Sequence, residues 1–297
     1  MIVLSGGTGT PKLLRGLIKL VEPSRLSVVV NTAEDMWSLG NLISPDLDTV
    51  IYTLAGIGDE EKWWGIESDT YHTSRFLRSL GCKEPMALGD KDRATNIFRS
   101  ELLRKGKSLS HATEALTRSL GIKNRVVPMT DDRVSTMIRI HEGEVHFQEF
   151  WVGMKGQPDV LALRYQGIYD ARPSPGFLEL LDSEDEILIG PSNPVTSIGP
   201  ILSLPGVRER LEGKRTLAVS PFVGNKPVSG PAAKFMKALG VPADDEGVKT
   251  LLGEVDTFVV DRKSSYSGEC VRLDTLMMTV EDSLRLARDL VGLISCS

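Results

Sequence analysis

Apolar residues follow two rhythms along this chain, and the switches between them fall at turns rich in glycine, proline and small polar residues. Short runs at Ile2–Leu4, Leu26–Val30, Glu186–Ile189, Leu217–Val219, Thr257–Asp261 and Asp274–Met278 read as buried strands. Between them, apolar positions recur three and four residues apart. Leu13, Leu14, Leu17 and Ile18 form one such stripe, Leu47, Val50, Ile51 and Leu54 a second, and Leu284, Ala287, Leu290 and Val291 a third. Further helices are predicted over residues 70–80, ended by Gly81, over 108–120 with Ser110 as N-cap, and around Ala232 to Leu239. Strands alternating with amphipathic helices predict an α/β fold, a mostly parallel sheet with helices on both faces. The rhythm changes between 126 and 151. Residues 136–140 and 145–150 alternate about Glu142-Gly143-Glu144, which predicts a β-hairpin. Residues 164–177 read as irregular. The expected organisation is a core of residues 1–130 and 180–297, interrupted by an insert at 131–179 that is not clearly independent.

The first strand runs into Ser5-Gly6-Gly7-Thr8-Gly9-Thr10-Pro11-Lys12. Thr10 and Pro11 read as N-cap and first helical residue. Gly6, Gly7 and Gly9 allow the backbone to turn its N–H groups toward an anion at the helix N-terminus. Lys12 in the first helical turn opposes the helix dipole unless a phosphate is bound there. The stretch is not a Walker loop, and Lys12 stands where a dinucleotide fingerprint has its third glycine. Two acid-bearing segments follow, Asn31 to Asp35 and Ser44-Pro45-Asp46-Leu47-Asp48. By themselves these acids read as loop or first-turn residues. Asp35 and Asp48 read equally as carboxylates converging on a hard cation such as Mg²⁺. Trp63 and Trp64 cannot both face one core, so they serve packing or an aromatic wall. Lys91 and Arg93 start a charged helix or present a cation to a polar substrate. Ser192 and Asn193, after the Glu186–Ile189 strand, make and cap a turn or donate to phosphate or a base.

Composition excludes several classes. The chain has 297 residues, of which 41% are hydrophobic and 25% charged, as in a folded globular protein. A net charge of −5 leaves no global basic footprint for nucleic acid, so an anionic ligand needs a local cluster of donors. Cys82, Cys270 and Cys296 are far apart, which suggests a reducing interior rather than a disulfide scaffold. The N-terminus reads as a core strand, so no signal peptide is expected, and no apolar run approaches the ~20 residues of a membrane span. The expectation is a cytoplasmic protein with no membrane partner. His141 and His146 lack a nearby cysteine or third histidine and do not make a zinc site.

Taken in order, six motifs carry a resemblance over nearly the whole chain. They are Ser5 to Lys12, Asn31 to Asp35, Ser44 to Asp48, Leu88-Gly89-Asp90-Lys91-Asp92, His146-Phe147-Gln148-Glu149 and Gly190-Pro191-Ser192-Asn193-Pro194. The set resembles the 2-phospho-L-lactate transferases of coenzyme F420 biosynthesis. That resemblance implies a Rossmann-like fold with smaller added elements, homodimers, and a Mg²⁺-dependent reaction of substituted-phosphate transferases (class 2.7.8). A phospholactyl group, or phosphoenolpyruvyl in some members, passes from a guanosine-diphosphate-linked donor (lactyl-2-diphospho-5'-guanosine) to the ribityl hydroxyl of the deazaflavin Fo. The products are F420-0 and GMP. By the same resemblance, Asp35 and Asp48 hold the metal and serve catalysis, and Asp48 and Lys91 bind Fo. Gly6, Gly7, Thr8, Gly9, Lys12, Ser192 and Asn193 then belong to the nucleotide-phosphate region. The chain departs from the family pattern at Lys91, where arginine is frequent, and at Asn96, where histidine is frequent. Asp48→Ala is expected to abolish turnover and leave the fold intact. Two other readings of the glycine-rich turn stand beside this one: a non-catalytic nucleotide-sugar sensor, and an NAD(P)-dependent oxidoreductase with Asp35 about twenty residues beyond the turn.

Overall fold

The computed structural model describes residues 1–82, 84–228 and 231–295, so Cys296 lies outside the described residues. Seven strands form the central sheet: β1 (Ile2–Ser5), β2 (Ser27–Val30), β3 (Arg125–Pro128), β4 (Glu186–Ile189), β5 (Arg215–Val219), β6 (Thr257–Asp261) and β7 (Val271–Leu273). Their spatial order is β7-β6-β5-β4-β1-β2-β3, and each neighbouring pair is parallel. Helices cover both faces, which is why the central strands are apolar at successive positions. The period-2 pleat then divides each run between two layers. Ile2, Leu4, Val29, Ile187 and Ile189 enter one apolar cluster; Val3, Val28, Val30 and Leu188 enter the other.

The chain winds outward from β1 in one direction to β2 and β3, and in the other to β4 and beyond. Read from the other edge, this is the doubly wound order 3-2-1-4-5-6 with one strand added. The winding reverses between β1 and β4, so the loops leaving their carboxyl ends flank a crevice. The loop leaving β1 opens helix α1 (Gly9–Leu17), and the loop after β2 leads through a short hairpin to α2 (Pro45–Ala55). Three further helices, α3 (His72–Ser79), α4 (Asp90–Arg104) and α5 (Leu109–Ser119), follow before β3. The helix Val280–Ser295 packs against α1. The contact is so close that a Cβ at Gly16 would lie 2.2 Å from the Ser283 carbonyl oxygen.

Local details differ from the sequence expectation for identifiable reasons. Helix α1 begins at Gly9 with Thr8 as its N-cap, because the N–H and hydroxyl of Thr10 are used by Ser192, 3.4 and 2.7 Å away. Ser108, not Ser110, caps α5: its hydroxyl accepts from the His111 N–H at 3.2 Å. The last strand is Val271–Leu273 rather than 274–278. Its partner β6 ends at Asp261 opposite Leu273, and pairing runs out there. The hairpin forms from Ser135–Ile140 and Gly143–His146. Ala162–Gln166, expected to be irregular from residue 164 onward, pairs antiparallel with the other edge of Ser135–Ile140. Residues 149–153 wind as a π-helical turn. Ile138, Ile140, Phe147 and Phe150 from this region share one apolar cluster with Ile2 and Leu4, so residues 131–179 pack onto the main sheet. The boundary drawn at 179/180 falls inside the helix Pro175–Ser183. Among the described residues, no helix is long and apolar enough to cross a membrane.

Candidate functional site

A cavity of about 620 Å³ opens at the switch point between β1 and β4. Its floor is the β1–α1 turn (Gly7, Thr8, Gly9) and the turn after β4 (Ser192, Asn193, Thr196, Ser197). One wall carries Glu34 and the start of α2 with Asp46, Asp48 and Tyr52. Trp63, Trp64, Phe147 and Trp151 add aromatic surface.

The two floor turns are locked together. Gly6 donates its N–H to Ser192 Oγ at 3.1 Å, and Thr10 Oγ1 lies 2.7 Å from the same oxygen. A Cβ at Gly9 would lie 1.8 Å from the Pro191 carbonyl oxygen, and one at Gly7 would lie 2.3 Å from Asp46 Oδ1. At Gly9 the obstacle is backbone, so glycine is required by that close approach as well as by the turn, whereas at Gly7 it is the Asp46 carboxylate. Asn193 Oδ1 accepts from the N–H groups of Val195 and Thr196, at 2.9 and 3.3 Å, and closes its own turn.

Lys12 does not line the cavity. Its Nζ lies over the Trp63 ring, 4.9 Å from the centroid, and the Arg15 guanidinium lies 4.8 Å from it. Burial, followed by the nearby Arg15 charge, lowers the Lys12 pKa. Trp63 adopts a φ of 60°, uncommon for so bulky a residue, within a loop closed by its N–H bond to the Asp59 carbonyl at 2.8 Å. Trp63 and Trp64 both reach the cavity, and Trp64 remains 46% exposed.

Five acids converge behind and along the wall. Asp46 Oδ2 accepts from Asn31 Nδ2 at 2.9 Å. Burial pushes the Asp46 carboxyl up to about 7 against that hydrogen bond. Glu34 is raised well above the usual range by burial and then by the charge of Asp46; Gln148 Nε2 donates to it at 3.4 Å. Asp92 accepts from the Tyr52 hydroxyl at 2.8 Å and is also pushed to about 7, by burial and then by Asp48. Asp48 faces the cavity from a buried ion pair. Arg99, fully buried, grips both of its carboxylate oxygens. Burial raises the Asp48 pKa and the guanidinium opposes the rise. Asp35 stands behind this wall, its Oδ1 accepting from the Ser44 hydroxyl at 2.7 Å. Burial raises its pKa well above the usual range.

The structure thus brings Gly7, Thr8, Gly9, Ser192, Asn193 and Asp48 to one cavity, with Gly6 directly beneath, whereas Asp35, Lys12 and Lys91 do not line it. Lys91 is exposed on α4, its Nζ 3.4 Å from the Glu67 carbonyl. The charged motif around it caps two helices reciprocally. Asp69 accepts from the N–H groups of Lys91 and Asp92, and Asp90 accepts from those of His72 and Thr73. Neither Glu34 as a cavity residue nor Arg99 as an internal one stands out in the local sequence. The available signal was the stripe Asp92, Asn96, Arg99, polar residues at helical spacing on the face of α4 that turns inward. The pairing adds a stability cost to Asp48→Ala, since that change takes away the partner of a buried guanidinium.

Mg²⁺ takes oxygen ligands and is usually held by one or two carboxylates, completed by substrate phosphates and water. The donor set fits that pattern. Glu34, Asp46 and Asp48 present hard oxygens to the cavity, but among the described residues no group of three or more His, Cys, Asp or Glu is placed to hold a metal ion by itself, so substrate oxygens and water would have to complete the shell.

Fold and site together define a doubly wound, Rossmann-like protein with its ligand cavity at the strand switch point. The chain belongs to the family described as 2-phospho-L-lactate transferase CofD, which matches residues 1–286. Its relatives include proteins named 2-phospho-L-lactate transferase from Methanosarcina acetivorans, 51% identical over 99% of this chain and 98% of the relative, and from Methanosarcina mazei, 50% identical over 98% and 99%. A third, from Methanocaldococcus jannaschii, is 44% identical over 97% of this chain and 96% of its own length. A solved structure of a UPF0052 family member from Bacillus halodurans shares the fold. It has a TM-score of 0.57 at 19% identity and covers 88% of this chain and 79% of that one.

Proposed function

We propose that this protein is a 2-phospho-L-lactate transferase that moves a phospholactyl or phosphoenolpyruvyl group from a guanosine-diphosphate-linked donor to the ribityl hydroxyl of Fo, releasing GMP. The observation that carries the reading is the single cavity in which an anion-type glycine turn, buried carboxylates and tryptophans meet, in a chain that is half identical to full-length relatives of that name. About 620 Å³ is ample for reacting parts of two substrates.

Such a transfer asks the protein to position groups and offset charge. Backbone N–H groups of the Gly7–Gly9 turn, with the turn at Ser192 and Asn193, hold the donor phosphates at the start of α1, while the Gly6 N–H stays on Ser192 Oγ. Lys12 reaches them by leaving the Trp63 face. The flat deazaflavin lies against Trp63, Trp64 and Trp151, with Asp48 toward its ribityl end; Lys91 takes part only by turning in from its exposed place on α4. The hydroxyl oxygen attacks the phosphorus bearing the lactyl group, and a new P–O bond forms. The P–O bond to GMP breaks, and the hydroxyl proton is released. Asp48, with Asp35 behind the wall, would hold Mg²⁺, and Glu34 and Asp46 face the same space. When bound there, the metal would neutralise charge on the diphosphate and the leaving GMP.

The test is incubation of the purified protein with Fo, Mg²⁺ and lactyl-2-diphospho-5'-guanosine, followed by mass spectrometry. F420-0 and GMP in equal amounts are expected; absence of both refutes the reading. A nucleotide sensor is separated by fluorescence titration, because it has no use for Fo. A homodimer is expected by light scattering.

A further inference from the structure

Arg99 heads the fully buried side chains by size, and nothing in the chemistry above uses it. Nη2 donates to Asp48 Oδ1, and Nη1 donates to Oδ2 at 3.2 Å. From behind, Nη1 also donates to the Leu42 carbonyl at 3.2 Å and to Asn96 Oδ1 at 2.9 Å. A planar fork anchored this way leaves its partner carboxylate one plane and one rotamer. Each carboxylate oxygen has a second lone-pair site beyond the one the fork occupies. Asp48 lines the cavity, so the carboxylate held by the fork, and by a backbone hydrogen bond from Ser44, stands at the wall where a ligand sits. A buried ion pair is seldom a better source of stability than apolar side chains of equal volume. Its use at the cavity wall is explained by orientation.

We propose that Arg99 is a positioning residue for the transfer, fixing the plane of the Asp48 carboxylate so that its free lone pairs meet the reacting groups in one preset direction. The proposal deepens the transferase reading and rests on it. Lysine at position 99 keeps the charge but loses the fork, so it neutralises Asp48 without orienting it. Asn96 takes part as the brace that holds the guanidinium in register.

The experiment compares wild type, Arg99→Lys and Arg99→Ala in the transfer assay, after circular dichroism melts establish which variants are folded. Arg99→Lys is expected to lose about 100-fold in kcat, with KM for donor and Fo within roughly threefold of wild type. Folded Arg99→Ala is expected to be inactive and to regain about tenfold or more in millimolar guanidinium, which leaves wild type and Arg99→Lys unchanged. A kcat for Arg99→Lys within roughly threefold of wild type overturns the positioning role. So does a folded Arg99→Ala that guanidinium does not restore. If Arg99→Ala fails to fold, the kcat of Arg99→Lys decides. An inactive wild type overturns the transferase reading and the positioning role together; an active wild type with an indifferent Arg99→Lys overturns the positioning role alone.

Discussion

Asp48→Ala tests the site and the core at once. Asp48 and Arg99 are both buried, and the arginine exposes nothing to solvent. Removing the carboxylate leaves a guanidinium without its ion-pair partner, holding two weaker acceptors, Leu42 O and Asn96 Oδ1, with Asp35 and Asp92 as more distant acids. Breaking one side of such a pair costs about 3–5 kcal/mol, most of it the cost of the stranded charge. At roughly 2–4 °C per kcal/mol for a chain of this size class, the melting temperature should fall by about 6–20 °C. The double variant Asp48→Ala/Arg99→Met removes the stranded charge. Replacing a whole buried pair with apolar groups is often neutral or stabilising by ~1–4 kcal/mol, so the double variant should be more stable than the single one. Urea unfolding followed by circular dichroism measures both. The reasoning is refuted if Asp48→Ala lies within about 1 kcal/mol of wild type, or if Arg99→Met does not recover stability in its background. Both variants should lack transfer activity, so stability, not turnover, separates the outcomes.

Three further expectations follow from the same geometry. Gly9→Ala places a methyl group against the Pro191 carbonyl, which is backbone and cannot rotate away; thermal melts should show a loss of about 1–3 kcal/mol, with impaired donor binding by calorimetry. Trp63→Ala removes the ring beneath Lys12 and Arg15, and fluorescence titration should show Fo binding weakened by roughly tenfold; an unchanged Kd excludes the aromatic wall. Asp46 and Asp92, each pushed to about 7 in the folded chain, titrate near 3.9 when unfolded, so the folded state binds more protons between those values. Their stabilising contribution is complete below about pH 4 and is lost as pH rises through about 7, so the melting temperature of EDTA-treated protein should fall between these limits and the slope should flatten in Asp46→Asn.

How much of this was legible in advance depended on how local each cause is. The strand–turn–helix from Ile2 to Leu17 is written in neighbouring residues, an apolar run, three glycines and a proline. Its helix start slipped by two residues because Thr10 bonds to Ser192, which lies 182 positions away. The Ala162–Gln166 strand stayed hidden because its residues are half-exposed or exposed and carry no strong apolar pattern. Glu34 and Asp35 are adjacent acids, yet only Glu34 lines the cavity. Sequence cannot choose between neighbours whose orientation is set by the loop's anchoring, here by Asn31 and Ser44. Arg99 sits in a helix rich in charges, where an arginine is ordinarily solvated, and only the packing of α4 against the residues 41–43 strand makes it internal.

By itself, then, the sequence determined the parallel α/β plan, the glycine turn at the head of α1 and the family, because each follows from periodicity, turn chemistry or an ordered set of short motifs. The tertiary structure alone decided which carboxylates reach the cavity, that Lys12 rests on Trp63, and that Asp48 is held by Arg99. Those outcomes depend on distances between segments 50 to 180 residues apart, and such distances are fixed by how layers pack, a property no window along the chain contains.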